Sequence, residues 1–351
     1  MRPDFVNLAR RLAGRFQTRG IKLRTVVFKI ALVGAACAAA CYSSPGNRQK
    51  AQSSRRAEAA GLEKLTAGAM PVVAATPVTL ATLSERAVRE SSGVVASRRN
   101  PGLFWTHNDS GDGPFVYAFD RAGRARGTWR VAGAQARDWE DIAAGPGPAQ
   151  GQNYLYAGDI GDNGRDREFV VVYRFPEPQV GADEQAAGAN AARETQPSEA
   201  IRVKYPDGAH NAEALLVHPL TGDLYVVTKG AESAFVYKLA APFSAEGVNT
   251  LTRVAVLKGP DFFGALVTGG DISPDGTRVA LCDYAQGYEL TLPAGAKGFD
   301  DVWTQKPAAV PLGLRLQGES VCYRLDGAAL LATSEKTPTP LIEVVLPRPV
   351  R

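Results

Sequence analysis

Five acidic residues, each at the entrance of a short apolar run, are the first candidates for chemistry in this sequence: Glu90, Glu140, Glu213, Asp271 and Glu319. Further oxygen and nitrogen donors cluster nearby in sequence. They are His107-Asn108-Asp109-Ser110-Gly111-Asp112, Trp139 and Asp141 beside Glu140, Asp159 and Asp162-Asn163, His210-Asn211, Lys229, Asp283, and Glu335-Lys336. If the five acids converge, mutual repulsion raises their pKa values unless a cation neutralises them. A donor set of carboxylates and amides suits calcium or magnesium, and calcium's flexible coordination fits an irregular funnel best. The competing reading is mechanical: acids at such positions accept hydrogen bonds from backbone N–H groups of neighbouring units and hold them together. Trp139 either walls the pocket or belongs to the core.

The usual catalytic signatures are missing. The chain has no Gly-x-Ser-x-Gly elbow, P-loop, His-Glu-x-x-His or paired-cysteine zinc motif. Asp159-Ile160-Gly161-Asp162-Asn163-Gly164 has the composition of a calcium loop but not EF-hand spacing. With three histidines, a Ser-His-Asp triad would need His107 or His210, and no serine is clearly paired with either.

The elements that position the five acids come from a repeat. After each acid a turn marker follows: Asn100-Pro101-Gly102, Gly145-Pro146-Gly147, Thr221-Gly222-Asp223, Pro274-Asp275-Gly276 and Asp326-Gly327. Glycine tolerates positive φ and proline presets φ, so each marker reverses the chain. A second β-rich run comes next, then a third of alternating pattern, clearest in Phe115–Phe119, Val171–Phe175 and Phe235–Leu239. A fourth is visible at Gly127–Ala132, Ile201–Tyr205 and Thr252–Leu257. Four strands per unit, with the acids spaced by 50, 73, 58 and 48 residues, predict an all-β fold, a single β-propeller of five four-stranded blades. The last unit runs short, so Pro77–Leu83 is expected to supply its outermost strand and close the ring. A six-bladed ring is the alternative. In a propeller the inner strands run parallel around one channel, so the five acids are expected in a ring at one end. The exits of the second strands lie on that same face.

Charge is unevenly distributed. Residues 1–60 carry twelve Lys/Arg against Asp4 and Glu58, a local charge of +10; the full chain is +4, which leaves −6 for residues 61–351. The folded part therefore offers no basic face for nucleic acid. A basic stretch, the apolar run Ile30–Ala40 and small residues up to Cys41 form an export signal over residues 1–41. Eleven apolar residues are too few to span a bilayer comfortably. Cys41 is the better acceptor for lipidation, although Ala38 stands where a Leu-like residue is usual; simple cleavage is the other outcome. Residues 42–75 read as a flexible tether and 76–351 as the propeller, with a surface loop at 181–200. The protein is expected to be an exported monomer, extracellular, periplasmic or lipid-anchored, that touches the membrane only through its N-terminus. Cys282 and Cys322 read as buried thiols rather than a disulfide.

The acid-then-apolar openers and the Ser273-Pro274-Asp275-Gly276 turn resemble secreted bacterial propellers of the phytase-like, esterase-like or TolB-type repeat kind, over roughly residues 85–346. A phytase-like kinship implies a calcium-loaded channel and phosphoester hydrolysis. It carries onto this chain only Glu90, Glu140, Glu213, Asp271 and Glu319, as metal ligands. A phosphate site also needs several cations, and this face offers only Lys229 and Lys336. Two functions follow as expectations: binding of a small molecule or protein at an acidic, calcium-loaded face, or metal-dependent hydrolysis of phosphoesters or other esters.

Overall fold

The computed structural model describes residues 72–181, 192–258 and 266–347. The expected export signal with Cys41, most of the expected tether and the centre of the 181–200 loop lie outside the described residues.

The chain forms a five-bladed β-propeller of small antiparallel sheets. Strand β1 (Pro77–Thr82) comes first but belongs to the last blade. The first blade is β2 (Ser91–Ala96), β3 (Leu103–Asn108), β4 (Phe115–Asp120) and β5 (Ala125–Arg130). The second is β6 (Trp139–Pro146), β7 (Asn153–Asp159), β8 (Val170–Pro176) and β10 (Glu199–Lys204); the intervening β9 (Arg193–Glu194) pairs in parallel with β5 of the first blade. The third contains β11 (Ala212–Val217), β12 (Leu224–Thr228), β13 (Ser233–Leu239) and β15 (Thr252–Lys258), while β14 (Val248–Thr250) joins the edge of β10. The fourth is β16 (Gly269–Ile272), β17 (Arg278–Cys282), β18 (Gly287–Thr291) and β19 (Ala308–Val310). The fifth is β20 (Gln317–Tyr323), β21 (Ala329–Glu335) and β22 (Pro340–Val345), completed by β1 paired antiparallel to β22. The six-bladed alternative is thereby excluded, and the N-terminal strand closes the ring. Val72–Ala75, assigned to the tether by sequence, instead lies along blade four, with Val73 N–H donating to Ala309 at 2.8 Å.

Five apolar layers hold the ring, one at each interface between neighbouring blades. Trp105, Trp129, Trp139 and Phe175 fill the first. Tyr156, Leu215 and Tyr237 anchor the second, and Tyr225, Leu281 and Trp303 the third. Leu330, Ile342 and Tyr323 pack the fourth, and Phe104, Phe119 and Leu331 close the circle. Burial of this kind contributes about 25 cal/mol per Å2 of apolar surface removed from water.

Inner strands crowd around the axis, so they use small residues. A side chain at Gly93 would collide with the His107 ring and the backbone of Ile142 in the next blade. Cys282 and Cys322 are buried free thiols.

Side chains also cross between blades. Ser92 donates to the Glu140 carbonyl at 2.7 Å, and Thr268 to the Gly318 carbonyl at 2.9 Å. Asp141, buried within the channel, accepts from Ile142 and Leu215 N–H and also from Gly270 N–H of the fourth blade. Removing this carboxylate would strand donors of three blades.

Candidate functional site

A bulge places the acids. In four inner strands the pairing register skips one residue: Ser92, Glu140, Glu213 and Glu319. A bulged residue sits outside the ladder and its side chain is re-aimed, here into the channel mouth. Counting back from the equivalent turn residues His218, Ser273 and Arg324 gives Thr268 as the counterpart in blade four. The ring at the mouth is thus Ser92, Glu140, Glu213, Thr268 and Glu319, three acids and two hydroxyls.

The expected ring of five acids is therefore not assembled. Glu90 lies before the bulge on the outer rim; its side chain is 42% exposed and reaches Lys336 at 3.6 Å. Asp271 lies deeper, where blades three and five carry Leu216 and Cys322, and its two oxygens accept from Ile272 and Tyr323 N–H at 2.8 Å each. Burial pushes its pKa up to about 7, against the Tyr323 bond and the positive charge of Arg98. For Asp271 and Asp141 the mechanical reading holds. Calcium held by all five acids does not fit these positions.

Two groups of side chains occupy the mouth. In one, Lys229 Nζ lies 3.0 Å from Glu213 and 4.8 Å from the centre of the Tyr284 ring, while Asn211 donates to the other Glu213 oxygen. Gln317 donates to Glu319 at 2.8 Å and also to Glu335, which Lys336 approaches at 3.5 Å. The second oxygen of Glu319 is buried without a partner. Burial, with the Glu335 and Glu213 charges, raises the Glu319 pKa to about 8. Burial also opposes the charge on Lys229, but Glu213 more than compensates and keeps the ammonium protonated.

The other group is a carboxylate triad. One oxygen each of Asp109, Asp138 and Glu140 lie within 4.8 Å of one another. Glu140 is 5% exposed, and no described donor hydrogen-bonds to its carboxylate. Burial and the charges of Glu213, Asp109 and Asp138 push its pKa far up. Asp138 is raised by burial and by Asp109. Gly161 makes room for the triad: a Cβ there would collide with Glu140 Oε1 and Asp138 Oδ2. Asp159 fixes the approach, accepting from Asp138 N–H at 3.1 Å while Arg167 bridges it to the Gly161 carbonyl at 2.8 Å. Three carboxylates at this separation, one of them on a largely buried residue with no donor bonded to it, form an open set of oxygen ligands of the kind a divalent cation takes.

Other predicted donors have different tasks. Asp112 accepts from Asn108 and Tyr117, and Asp283 from Ala285, Gln286 and Tyr288, so both brace their own hairpins. Asp162 takes the N–H groups of Asp166 and Arg167, while Asn211 accepts from Asp162 N–H and donates to Asn163. Trp139 is core, stacked edge-on with His107 at 5.7 Å and bonded to the Gln135 carbonyl. His107 is fully buried, its Nδ1 bonded to the Asn108 carbonyl. His210 sits in an aromatic box of Tyr205, Phe235 and Tyr237, bonded to Asp207.

The sequence pattern did not single out Asp138 or Gln317, and it gave Gly161 only as part of a calcium-loop-like run, without a role beside Glu140. Strand periodicity could not have found Asp138, which lies just before β6 and beside a bulged Glu140. No protein-family model matches this chain, and no curated protein is similar to it.

Proposed function

We propose that this propeller is an exported binding module whose acidic mouth loads a divalent cation, calcium by preference, and uses it to capture a ligand. Asp109, Asp138 and Glu140 supply the cation's carboxylate ligands. The observation that carries this reading is the Glu140 carboxylate, buried at the mouth without a hydrogen-bond donor and facing two other acids. An ionised carboxylate in that position is costly unless a positive charge arrives. Oxygen-only ligands with irregular geometry favour calcium over magnesium, which demands near-ideal octahedra.

Calorimetric titration of the protein with calcium chloride tests this. Saturable binding is expected, and calcium at about a hundred times its Kd should add about 2.7 kcal/mol of stability. In a domain of this size that raises the thermal midpoint by roughly 5–10 °C. Glu140→Gln should abolish both effects. A flat titration with an unmoved midpoint refutes the reading.

Metal-dependent ester hydrolysis is a second reading, favoured by a cavity of about 300 Å3 that Asp138 helps to line. Calcium-dependent release of nitrophenol from nitrophenyl esters, lost in Glu140→Gln, would establish it in place of simple binding.

A further inference from the structure

The two most exposed large apolar side chains among the described residues stand together on the mouth face. Leu314 is 92% exposed and Leu316 77%. Both belong to the connection from β19 of the fourth blade to β20 of the fifth, whose mouth end carries Glu319. A loose loop does not account for them, because the chain is anchored on either side. Leu312 is buried in the layer between these two blades, and a Cβ at Gly313, whose φ is +74°, would press on Pro77 and Ile342. Gly318 N–H donates to the Tyr284 carbonyl at 3.3 Å.

Between the leucines the usual pattern is inverted. Arg315 turns inward and is only 7% exposed, so close beneath Gly318 that a Cβ there would collide with its guanidinium. Its Nη2 donates to the Asp283 carbonyl at 3.1 Å, while Nε and Nη1 are buried without partners, and no carboxylate among the described residues pairs with it. Burying a guanidinium so poorly matched is costly. Water alone selects the reverse arrangement, arginine outward and leucines inward. The inversion holds two leucines out towards something apolar. Tyr284, 36% exposed, adds an aromatic ring at the same rim.

A second copy of the chain is a poor match for this lip. Two leucines fall far short of the surface that a standard interface buries, about 800 Å2 per partner. Lip-to-lip contact would also bring two acidic mouths together. A bilayer needs no complementary pocket, accepts protruding leucines, and suits a tyrosine at its boundary. The chain moreover enters the propeller beside this loop: Val72, itself 69% exposed, bridges to Ala309, two residues before Pro311. The carboxylates around the mouth disfavour an anionic surface, which leaves zwitterionic lipids.

We infer that Leu314 and Leu316, with Tyr284 beside them, insert into the surface of a zwitterionic bilayer and turn the mouth face towards the lipid. This contact is additional to the one expected at the N-terminus. It does not draw on the cation reading, since the triad belongs to the first and second blades and the lip to the fourth and fifth.

Hydrogen exchange read by mass spectrometry tests it, on the intact protein in EDTA, with and without vesicles of phosphatidylcholine and phosphatidylethanolamine. Exchange over residues 312–318 should slow by about tenfold or more when vesicles are added. The double change Leu314→Ser, Leu316→Ser alters only exposed side chains, so the thermal midpoint should stay that of the parent. It should abolish the slowing and lower the vesicle partition coefficient by about tenfold for each leucine removed. Vesicle binding with unchanged exchange over 312–318 would place the contact at the N-terminus and overturn the inference. Slowing that follows protein concentration without vesicles, together with a dimer in size-exclusion chromatography, would assign the lip to a second copy and overturn it too. No vesicle binding at all also overturns it, and turns the leucines towards a protein partner. Because calcium is absent throughout, none of these outcomes bears on the triad.

Discussion

At the scale of single residues, what separates a site acid from a bracing acid is which donors reach it. Asp141, Asp271, Asp162 and Asp283 all accept N–H groups, and each fixes backbone. Glu140 accepts none, and Gly161 is shaped around it. That supplies a mutation whose effect is steric rather than electrostatic. The Gly161 backbone lies outside the left-handed region, so alanine is tolerated by the main chain, but its Cβ displaces the Glu140 and Asp138 oxygens. Gly161→Ala is expected to weaken calcium binding by about tenfold or more, equivalent to 1.4 kcal/mol, with a thermal midpoint within a few degrees of the parent. Unchanged affinity in calorimetry would dissociate Gly161 from the site. Much of this was legible in the sequence: Glu140, Glu213 and Glu319 were picked out from their places before an apolar run. The bulge was not. Skipping one residue changes which side chain faces the channel, and a repeat aligned by residue type placed Glu90 and Asp271 in a ring whose true members are Ser92 and Thr268.

At the scale of elements, the turn markers and the Phe-Val-Tyr strands fixed blade count and strand order, because both are local properties of the chain. Closure was also legible, since a unit one strand short needs a partner from elsewhere. Two things were not: the parallel additions of β9 and β14 to neighbouring blades, and the docking of Val72–Ala75 on β19. Each depends on what surface is left uncovered after the sheets form. The closing strand β1 makes a specific claim on stability. It pairs with β22 from Pro77 to Thr82, and Leu80 and Leu83 pack against the layer between the fifth and first blades. At about 1 kcal/mol net per ladder hydrogen bond, plus the apolar contact, deleting residues 72–84 should cost at least about 4 kcal/mol. It also exposes β22 as an open edge, a template for association. The truncated protein is expected to melt roughly 10 °C lower and to form oligomers in size-exclusion chromatography. A monomeric truncation with the parent midpoint would show that the ring does not need its N-terminal strand.

At the scale of the whole molecule, the pattern of shifted acids sets how stability varies with pH, and the signs work in opposite directions in two windows. Asp120, Asp207, Asp223 and Asp275 have lowered pKa values: partial burial is outweighed by hydrogen bonds from Arg124, Tyr237, Ala241 and Ser273 respectively. Their contribution is present above the unfolded value near 3.8 and is lost as pH falls through the folded one. Glu319 and Asp271 are raised by burial, to about 8 and about 7, and Glu140, Glu213 and Asp138 are raised too. The folded state holds these protons more tightly than the unfolded chain. Their stabilising effect is complete below about pH 4 and is lost as pH rises through the folded values, with a slope of up to about 1.4 kcal/mol per pH unit for each carboxyl. Stability without divalent cations should therefore peak near pH 5 and fall steadily towards pH 8. Glu319→Gln takes one titrating group out of the upper window, so it should flatten that decline. Calcium replaces protons at the triad, so its stabilising increment should be larger at pH 8 than at pH 5. Thermal melts across this range, with EDTA and then with calcium, measure both slopes. A midpoint that climbs from pH 5 to pH 8 in EDTA would mean that the mouth carboxyls are already neutralised from within the protein, and that no cation is wanted there.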